Sequence, residues 1–360
     1  MGRVHKDALL DPIPDNDYID YSKAPRPWET EDDANYLSPT FHESAIPGEM
    51  ERNKELVQKY RDVFSLKLNP IPAKLKPMKL SVNDLLWRME KNRRPARPQS
   101  DEKRREIERQ VQKMLDEKLI RPSQAAYWSQ VILAPKPNGQ WRFCIDYRAL
   151  NEITEAMGWP IPNMEQTFHR IGQEKPKYFA VLDLTSGFFQ APLDEQSSKY
   201  SAFITWMGLF EWLRVPMGLK GAPSWFQQQL ATEVLGGLLH RICELYIDDL
   251  IVYGKTFEEY MERLELVFQR LREYGITINP EKAKFLMTDV EYLGYKLDKE
   301  GIEFSQENKE KALDFELPLT YKTLKSFVGF AERFHRHIRR LPQVCATTPR
   351  FTARIQRIKK

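Results

Sequence analysis

The stretch Cys243 to Tyr253, C-E-L-Y-I-D-D-L-I-V-Y, sets two adjacent aspartates, Asp248 and Asp249, between two apolar runs. Leu, Ile, Val and Tyr on either side of a short polar pair predict strand, tight turn, strand. Such a turn is best served by Asn-Gly or Asp-Gly, because its central residues need positive φ. Asp-Asp breaks that local rule, and broken local rules concentrate at functional sites. Paired carboxylates are also the hard oxygen donors that Mg²⁺ takes. Alone, a D-D pair is more often an ordinary polar turn, so its weight depends on the rest of the chain.

On the C-terminal side, Phe257 to Tyr274 has a helical stripe of Phe257, Met261, Leu264, Phe268 and Leu271, and Gly275 closes it. Asn279-Pro280-Glu281-Lys282 predicts a turn. Val290 to Leu297 and Ile302 to Phe304 read as short strands, and Thr323 to Arg333 as a helix. The last 20 residues are basic and aperiodic.

On the N-terminal side, F-I-T-W-M-G-L-F-E-W-L-R-V (203–215) predicts a hairpin turning near Met207-Gly208. In the following P-M-G-L-K-G-A-P-S-W-F-Q, Gly218 and Gly221 permit close backbone approach. Pro223 suits the first turn of a helix reaching about Leu235. Tyr178 to Leu184, Y-F-A-V-L-D-L, reads as a buried strand interrupted by Asp183. A buried carboxylate is costly unless paired, hydrogen-bonded or metal-bound. Seen alone, Asp183 could equally sit in the capped turn that Thr185, Ser186 and Gly187 make.

Further upstream, residues 129–146 predict a hairpin around P-K-P-N-G-Q, with Asn138-Gly139 as the turn. Its Lys136, Arg142 and Arg148 could fold over phosphates, although cations on a hairpin are commonly just solvated. Residues 100–118 form a helix capped by Ser100, with Ile107, Val111, Met114 and Leu115 as its stripe; Pro122 stops any continuation. Leu56, Tyr60 and Phe64 suggest a short helix within 49–66. Residues 84–94 end in the basic run Lys91, Arg93, Arg94, and residues 1–45 read as disordered.

At 360 residues and 41% hydrophobic, the chain can bury a sizeable core. No apolar run is long enough to span a membrane, and M-G-R-V-H-K-D lacks the apolar core of a signal peptide. The expectation is an intracellular protein, in a cytoplasmic particle or the nucleus. Cys144, Cys243 and Cys345 lie far apart and suit a reducing compartment. Residues 1–50 hold 11 Asp/Glu against 4 Lys/Arg, a net of −7, so the overall +4 leaves +11 on the rest. A basic body points to a polyanionic partner, against the plainer reading of a solvated surface. The alternation of strands and helices predicts an α+β fold, with helices packed on an antiparallel sheet.

Five stretches in order give this reading a family. They are W-R-F-C-I-D-Y-R-A-L-N (141–151), V-L-D-L-T-S-G-F-F-Q (181–190), R-V-P-M-G-L-K-G-A-P-S-W-F-Q (214–227), L-Y-I-D-D-L-I-V-Y (245–253) and V-E-Y-L-G-Y (290–295). The chain resembles the reverse transcriptases of long-terminal-repeat retrotransposons and retroviruses, of the Gypsy/Ty3-like kind, from about residue 54 to residue 338. Any one of these motifs is weak; five in order are specific.

The resemblance implies a right-hand polymerase of fingers, palm and partial thumb or connection. Composition marks an acidic leader at 1–48, and an N-terminal extension follows at 49–95. The fingers would be 96–177 and 198–216, and the palm 178–197 with 217–297. A partial thumb would occupy 298–340 and a basic tail 341–360. It implies two Mg²⁺ ions, with Mn²⁺ possible, on Asp183 and Asp248, supported by Asp249 and with Leu184 in the metal set. Lys136 and Arg142 would reach the triphosphate of a dNTP, and Ser186 and Gly187 would offer backbone N–H groups. Phe188 would exclude a ribose 2′-hydroxyl, and Met217 and Gly218 would line the nucleotide pocket. Leu293, Gly294 and Tyr295 would grip the primer. The partners implied are an RNA or DNA template with its primer, and dNTPs.

The same reading expects a fragment of a polyprotein or a degenerate genomic copy. No D-[ST]-G protease motif occurs, and the 22 residues after Ile338 are too few for ribonuclease H. Two rivals remain: an RNA-templated RNA polymerase, against which Phe188 argues, and a catalytically silent remnant that only binds nucleic acid.

Overall fold

The computed structural model describes residues 39–43, 46–135, 139–299, 301–314 and 320–332. Lys136, Asn138, Arg333, the basic tail 341–360 and most of the acidic leader therefore lie outside the described residues. In chain order the strands are β1 (Thr40–Phe41), β2 (Ile120–Pro122), β3 (Ser129–Pro135), β4 (Trp141–Asp146), β5 (Tyr178–Asp183), β6 (Phe203–Thr205) and β7 (Gly208–Trp212). They continue as β8 (Cys243–Tyr246), β9 (Asp249–Gly254), β10 (Lys284–Met287), β11 (Asp289–Tyr292), β12 (Tyr295–Asp298) and β13 (Ile302–Phe304).

One five-stranded sheet runs β1-β10-β5-β9-β8. All its neighbours are antiparallel except the short β1–β10 pair. Its strands are apolar nearly throughout: Phe179, Ala180, Leu182, Ile251, Val252 and Phe285 are all buried. Helix Phe257–Tyr274 covers one face. Thr256 caps it by accepting from the Glu259 amide at 3.2 Å, and Gly275 ends it in the left-handed region at φ 67°. That helix packs tightly: a side chain at Gly254 would meet the Tyr260 backbone at 2.7 Å. Phe268 stacks its edges against Phe64 and Phe285 at 5.4 and 6.2 Å between ring centres. Each fully buried ring of this kind stabilises the fold by about 1.5–3 kcal/mol. Helix Pro47–Lys59 joins the layer where the Asn53 amide donates to the Tyr260 hydroxyl at 3.3 Å.

A second five-stranded sheet runs β2-β7-β6-β3-β4, again antiparallel but for one parallel pair, β3–β6. The expected hairpins at 129–146 and 203–215 form here, the second turning at Trp206-Met207 before Gly208. Helix Asp101–Asp116 buries Ile107, Val111 and Met114. It ends well before Pro122, because Lys118 takes φ 53° and turns the chain into β2. Pro122 thus belongs to an edge strand, where a missing N–H can face away from the sheet. Both sheets are mixed rather than purely antiparallel.

β11, β12 and β13 form a three-stranded sheet in that order. The run expected as one strand over 290–297 is two strands, broken at Leu293 (φ 53°) and Gly294 (φ 81°). By contact density the chain divides into two units, with residues 293–296 and 303 onward forming the second. Within that unit the Tyr295 and Phe304 rings lie 4.9 Å apart, and Ser305 caps helix Gln306–Leu313, which the sequence reading lacked. Helix Tyr321–Glu332 agrees with the expected one. Among the described residues no helix is long and apolar enough to cross a membrane.

A carboxylate cluster as candidate active site

Backbone pairing brings the aspartates together. β5 and β9 are antiparallel, and their register sets Asp183, the last residue of β5, directly across from Asp249, the first of β9. Asp249 also pairs with Tyr246 of β8, so Ile247 and Asp248 form the turn between them. Ile247 takes φ 60°, a region that β-branched residues rarely adopt. A buried side chain holds it there: the Gln227 Oε1 accepts from the Ile247 amide at 2.6 Å. Gln227 lies in helix Ala222–Gln229, which carries Pro223 in its first turn as its composition predicts. The chain continues as a π-helical turn over Leu230–Val234, a distortion often found beside functional sites.

Gly187 backs the cluster from the other side. A Cβ there would stand 3.2 Å from the Asp248 Cβ and 3.3 Å from Phe226 Cε1. Ser186 precedes it in the left-handed region at φ 49°. Phe188 is half-buried, its ring centre 5.2 Å from that of Phe226. The Leu184 side chain is buried in the core, so only its carbonyl oxygen could serve a metal. The Tyr292 hydroxyl donates to the Asp249 carbonyl at 3.1 Å, fixing the start of β9.

Charge is concentrated here. Burial pushes the Asp249 carboxyl up to about 6, and the neighbouring Asp248 and Asp183 add to the shift. Burial raises Asp248 as well, with Asp183 again contributing. Lys282 opposes both shifts. Its ammonium pairs with Asp183, 3.1 Å from Oδ1 and 3.2 Å from Oδ2. Neither Gln227 nor Lys282 was assigned a role from sequence, although Lys282 sits in the expected Asn-Pro-Glu-Lys turn. Among the described residues no three His, Cys, Asp or Glu side chains are already drawn round one point. Three carboxylates in a half-buried setting, two of them with raised affinity for a proton, nevertheless suit a hard divalent cation.

The other expected residues are placed less tightly. Arg142 is exposed on β4, opposite Ala134, and no contact links it to the aspartates. Met217 is exposed, and Gly218 takes φ 96° with its carbonyl accepting from the Asn151 amide group at 2.8 Å. The Gly294 carbonyl accepts from the Ser305 amide at 3.1 Å and the Asn308 side chain at 2.8 Å, which fixes the Leu293-Gly294 turn beside Tyr295.

Comparison with known proteins places this arrangement. Residues 134–297 match the family described as reverse transcriptase (RNA-dependent DNA polymerase). The chain is 35% identical over 254 residues to the retrovirus-related Pol polyprotein from transposon opus of Drosophila melanogaster, covering 69% of this chain and 25% of that one. It is 34% identical over 293 residues to the corresponding polyprotein from transposon 412 of the same fly, covering 79% and 23%. It thus spans about a quarter of the length of these relatives. Among solved structures it superposes on a foamy viral protease-reverse transcriptase in complex with double-stranded DNA with TM-score 0.70 and 22% identity, over 86% of this chain and 53% of that one. A foamy viral enzyme in complex with an RNA/DNA hybrid gives TM-score 0.65 and 23% identity, over 80% and 38%. These likenesses establish a right-hand polymerase fold. With the five ordered motifs, the paired aspartates and the transposon relatives, residues 134–297 belong to the reverse transcriptase family, as carried by Pol polyproteins of Gypsy-type transposons.

Proposed function

We propose that the chain is an RNA-directed DNA polymerase, joining dNTPs to a primer 3′-hydroxyl as a template directs, within a larger retrotransposon polyprotein. The observation that supports this most is the register of Asp183 against Asp249 with Asp248 at the adjoining turn. Two strands side by side hold carboxylates from distant sequence positions in one place, which catalysis by positioning requires. Asp183 and Asp248 are the residues to hold two Mg²⁺ or Mn²⁺ ions, with Asp249 and the Leu184 carbonyl beside them. When bound, such ions supply the charge that activates the primer oxygen and stabilises the leaving pyrophosphate.

The remaining roles follow the same reading. Gly187 lets the backbone approach the carboxylates, and with Ser186 it offers N–H groups to a triphosphate. Phe188, braced by Phe226, limits space at the sugar. Met217 and Gly218 line the nucleotide pocket, Lys136 and Arg142 meet the phosphates, and Leu293, Gly294 and Tyr295 hold the primer end. The two five-stranded sheets support a division into fingers (96–177 and 198–216) and palm (178–197 and 217–297), because each sheet beyond β1 draws its strands from one of those sets. Residues 49–95 extend the N-terminal side and 298–340 begin a thumb. The foamy viral enzymes are in complex with an RNA/DNA hybrid and with double-stranded DNA, and a template with its primer suits a basic body that meets phosphates. Primer extension on poly(rA)/oligo(dT) tests the proposal: incorporation of dTMP that stops on chelation of divalent cations supports it, and no incorporation by folded protein refutes it.

A further inference from the structure

Among the described residues Arg214 is the only lysine or arginine that is buried, with 2% of its surface exposed. It lies two residues beyond β7, where the chain leaves the second sheet. Burying a guanidinium is costly unless its donors are met. Here backbone carbonyls meet them. Nη1 donates to the carbonyls of Phe189 and Gln190 at 3.2 and 3.3 Å, and Nη2 donates to those of Asn69 and Pro70 at 3.1 and 2.7 Å. The planar fork thus clamps together two segments that are far apart in sequence. A lysine ammonium, a compact charge on a flexible stem, has no such fork to span both pairs. A well-packed apolar side chain would ordinarily serve a core as well or better. What the guanidinium adds is a fixed spacing between the two segments.

One of those segments carries the nucleotide turn. Phe189 and Gln190 end the short 3₁₀ helix Gly187–Gln190, which follows Ser186 at φ 49°. A serine in that left-handed region persists only where its surroundings enforce it. The remaining fixings of this turn lead to the same neighbours. The buried Gln190 side chain donates to the carbonyls of Thr185 and Thr277 at 2.8 and 2.9 Å, and its Oε1 accepts from the Thr277 amide at 2.7 Å. The Gln190 carbonyl accepts from the Ala73 amide at 2.8 Å. At the other end the Thr185 hydroxyl donates to the Ser65 carbonyl at 2.7 Å. Residues 65–73 of the N-terminal extension therefore hold both ends of the turn 185–190. They hold Thr185 through its hydroxyl, and Phe189-Gln190 through Arg214 and the Ala73 amide. Within them Asn69 to Ala73, N-P-I-P-A, has two prolines, whose fixed φ stiffens the strap.

We propose that Arg214 is a positioning residue for nucleotide selection. By clamping the carbonyls of Phe189 and Gln190 to those of Asn69 and Pro70, it sets where Phe188 stands against the sugar. The same clamp sets where the Ser186 and Gly187 N–H groups meet the triphosphate. The strap at 65–73 thereby takes part in the choice between deoxyribonucleotides and ribonucleotides. This assignment rests on the polymerase reading of Ser186, Gly187 and Phe188.

Hydrogen exchange read by mass spectrometry on the full chain, without template or nucleotide, tests the clamp itself. Amides within 185–191 should exchange about tenfold faster in Arg214→Met than in the wild type, as the loss of one charge-assisted hydrogen bond allows. Arg214→Lys should fall between the two. Primer extension on poly(rA)/oligo(dT) with dUTP or UTP, which differ only in the 2′-hydroxyl, tests the consequence. Arg214→Met should raise KM for dUTP about tenfold and lower the deoxy-over-ribo ratio of kcat/KM by a similar factor, with kcat held within about threefold. Arg214→Lys should restore part of both. Thr185→Val loosens the opposite end of the turn and should move the same readouts in the same direction by a smaller factor. Arg214→Lys and Thr185→Val decide the question if Arg214→Met does not fold. A folded Arg214→Met protein with unchanged exchange over 185–191 overturns the proposal. So does a loss that falls on kcat alone with KM and sugar selectivity intact, the mark of a general loss of stability. The two readings fail separately. If the wild type extends no primer while the exchange difference persists, the polymerase reading is refuted and the clamp stands. If the wild type extends primers and the variants match it in KM and selectivity, the role of Arg214 in selection alone is refuted.

Discussion

The Lys282 ammonium lies 3.1 Å from Asp183 Oδ1 and 3.2 Å from Oδ2, so the cation that meets the first carboxylate of the cluster is supplied by the chain itself. Asp249, directly across the strand pair from Asp183, makes no direct ion pair among the described residues; it feels Lys282 only at longer range and bears the charge of both neighbouring aspartates. The cluster is therefore asymmetric: one carboxylate is neutralised, and the adjoining pair is held at a raised proton affinity.

A stability consequence follows from Asp249. Its carboxyl is raised from an ordinary 3.8 to about 6, so the folded chain binds that proton more tightly than the unfolded chain does. The unfavourable contribution is absent below pH 3.8, grows as pH rises, and is complete above about 6. Asp249→Asn should thus stabilise the protein in chelator at pH 7.5 by about 1–2 kcal/mol, after allowance for solvent screening. Thermal unfolding from pH 4 to 7.5 measures it. A gain that is larger at pH 4 than at pH 7.5 would show that the sign is wrong.

Gln227→Ala should loosen the turn that presents Asp248. The substitution leaves the Ile247 amide without its acceptor while Ile247 stays at φ 60°, a loss of about 1–3 kcal/mol. Denaturant unfolding should show that loss together with a fall in nucleotide incorporation. Full activity with unchanged stability would mean the turn holds itself.

How much of this was legible in the sequence depends on how local each cause is. The hairpins, strand β5, the Phe257–Tyr274 helix and the glycine at its end are set by periodicity, β-branched runs and one left-handed residue, all visible within a few positions. Strand β10 was missed because Lys284–Met287 follows a turn directly and shows no alternation, and β1 because two residues carry no period at all. The break at Leu293-Gly294 was hidden by a leucine at positive φ, which only its surroundings can enforce. In the site, the aspartates were found because carboxylates in an apolar hairpin violate a local rule. Gln227 and Lys282 act across 20 and 99 positions, on Ile247 and Asp183, so nothing near them in sequence announces their partners.

Phe188→Val should let ribonucleotides be incorporated. The Phe188 ring packs on Phe226 and is only half-buried, and in the proposed reading it limits the space at a sugar. A smaller side chain would admit a 2′-oxygen. Competition between a ribonucleotide and its deoxy counterpart gives the selectivity, expected to fall by at least about tenfold, the effect of roughly 1.4 kcal/mol. An unchanged ratio in an active variant would show that Phe188 serves only to pack against Phe226.

The measurement that bears most directly on the central claim is primer extension by Asp248→Asn set beside its affinity for the same RNA template and DNA primer. An amide lacks the anionic oxygen that a hard divalent cation requires, whereas template affinity comes mainly from Lys and Arg meeting phosphates. The account predicts that incorporation falls to background while binding stays within a small factor of the unsubstituted protein. Extension at the normal rate by Asp248→Asn would contradict it, because the carboxylate at the β8–β9 turn would then have no part in the chemistry.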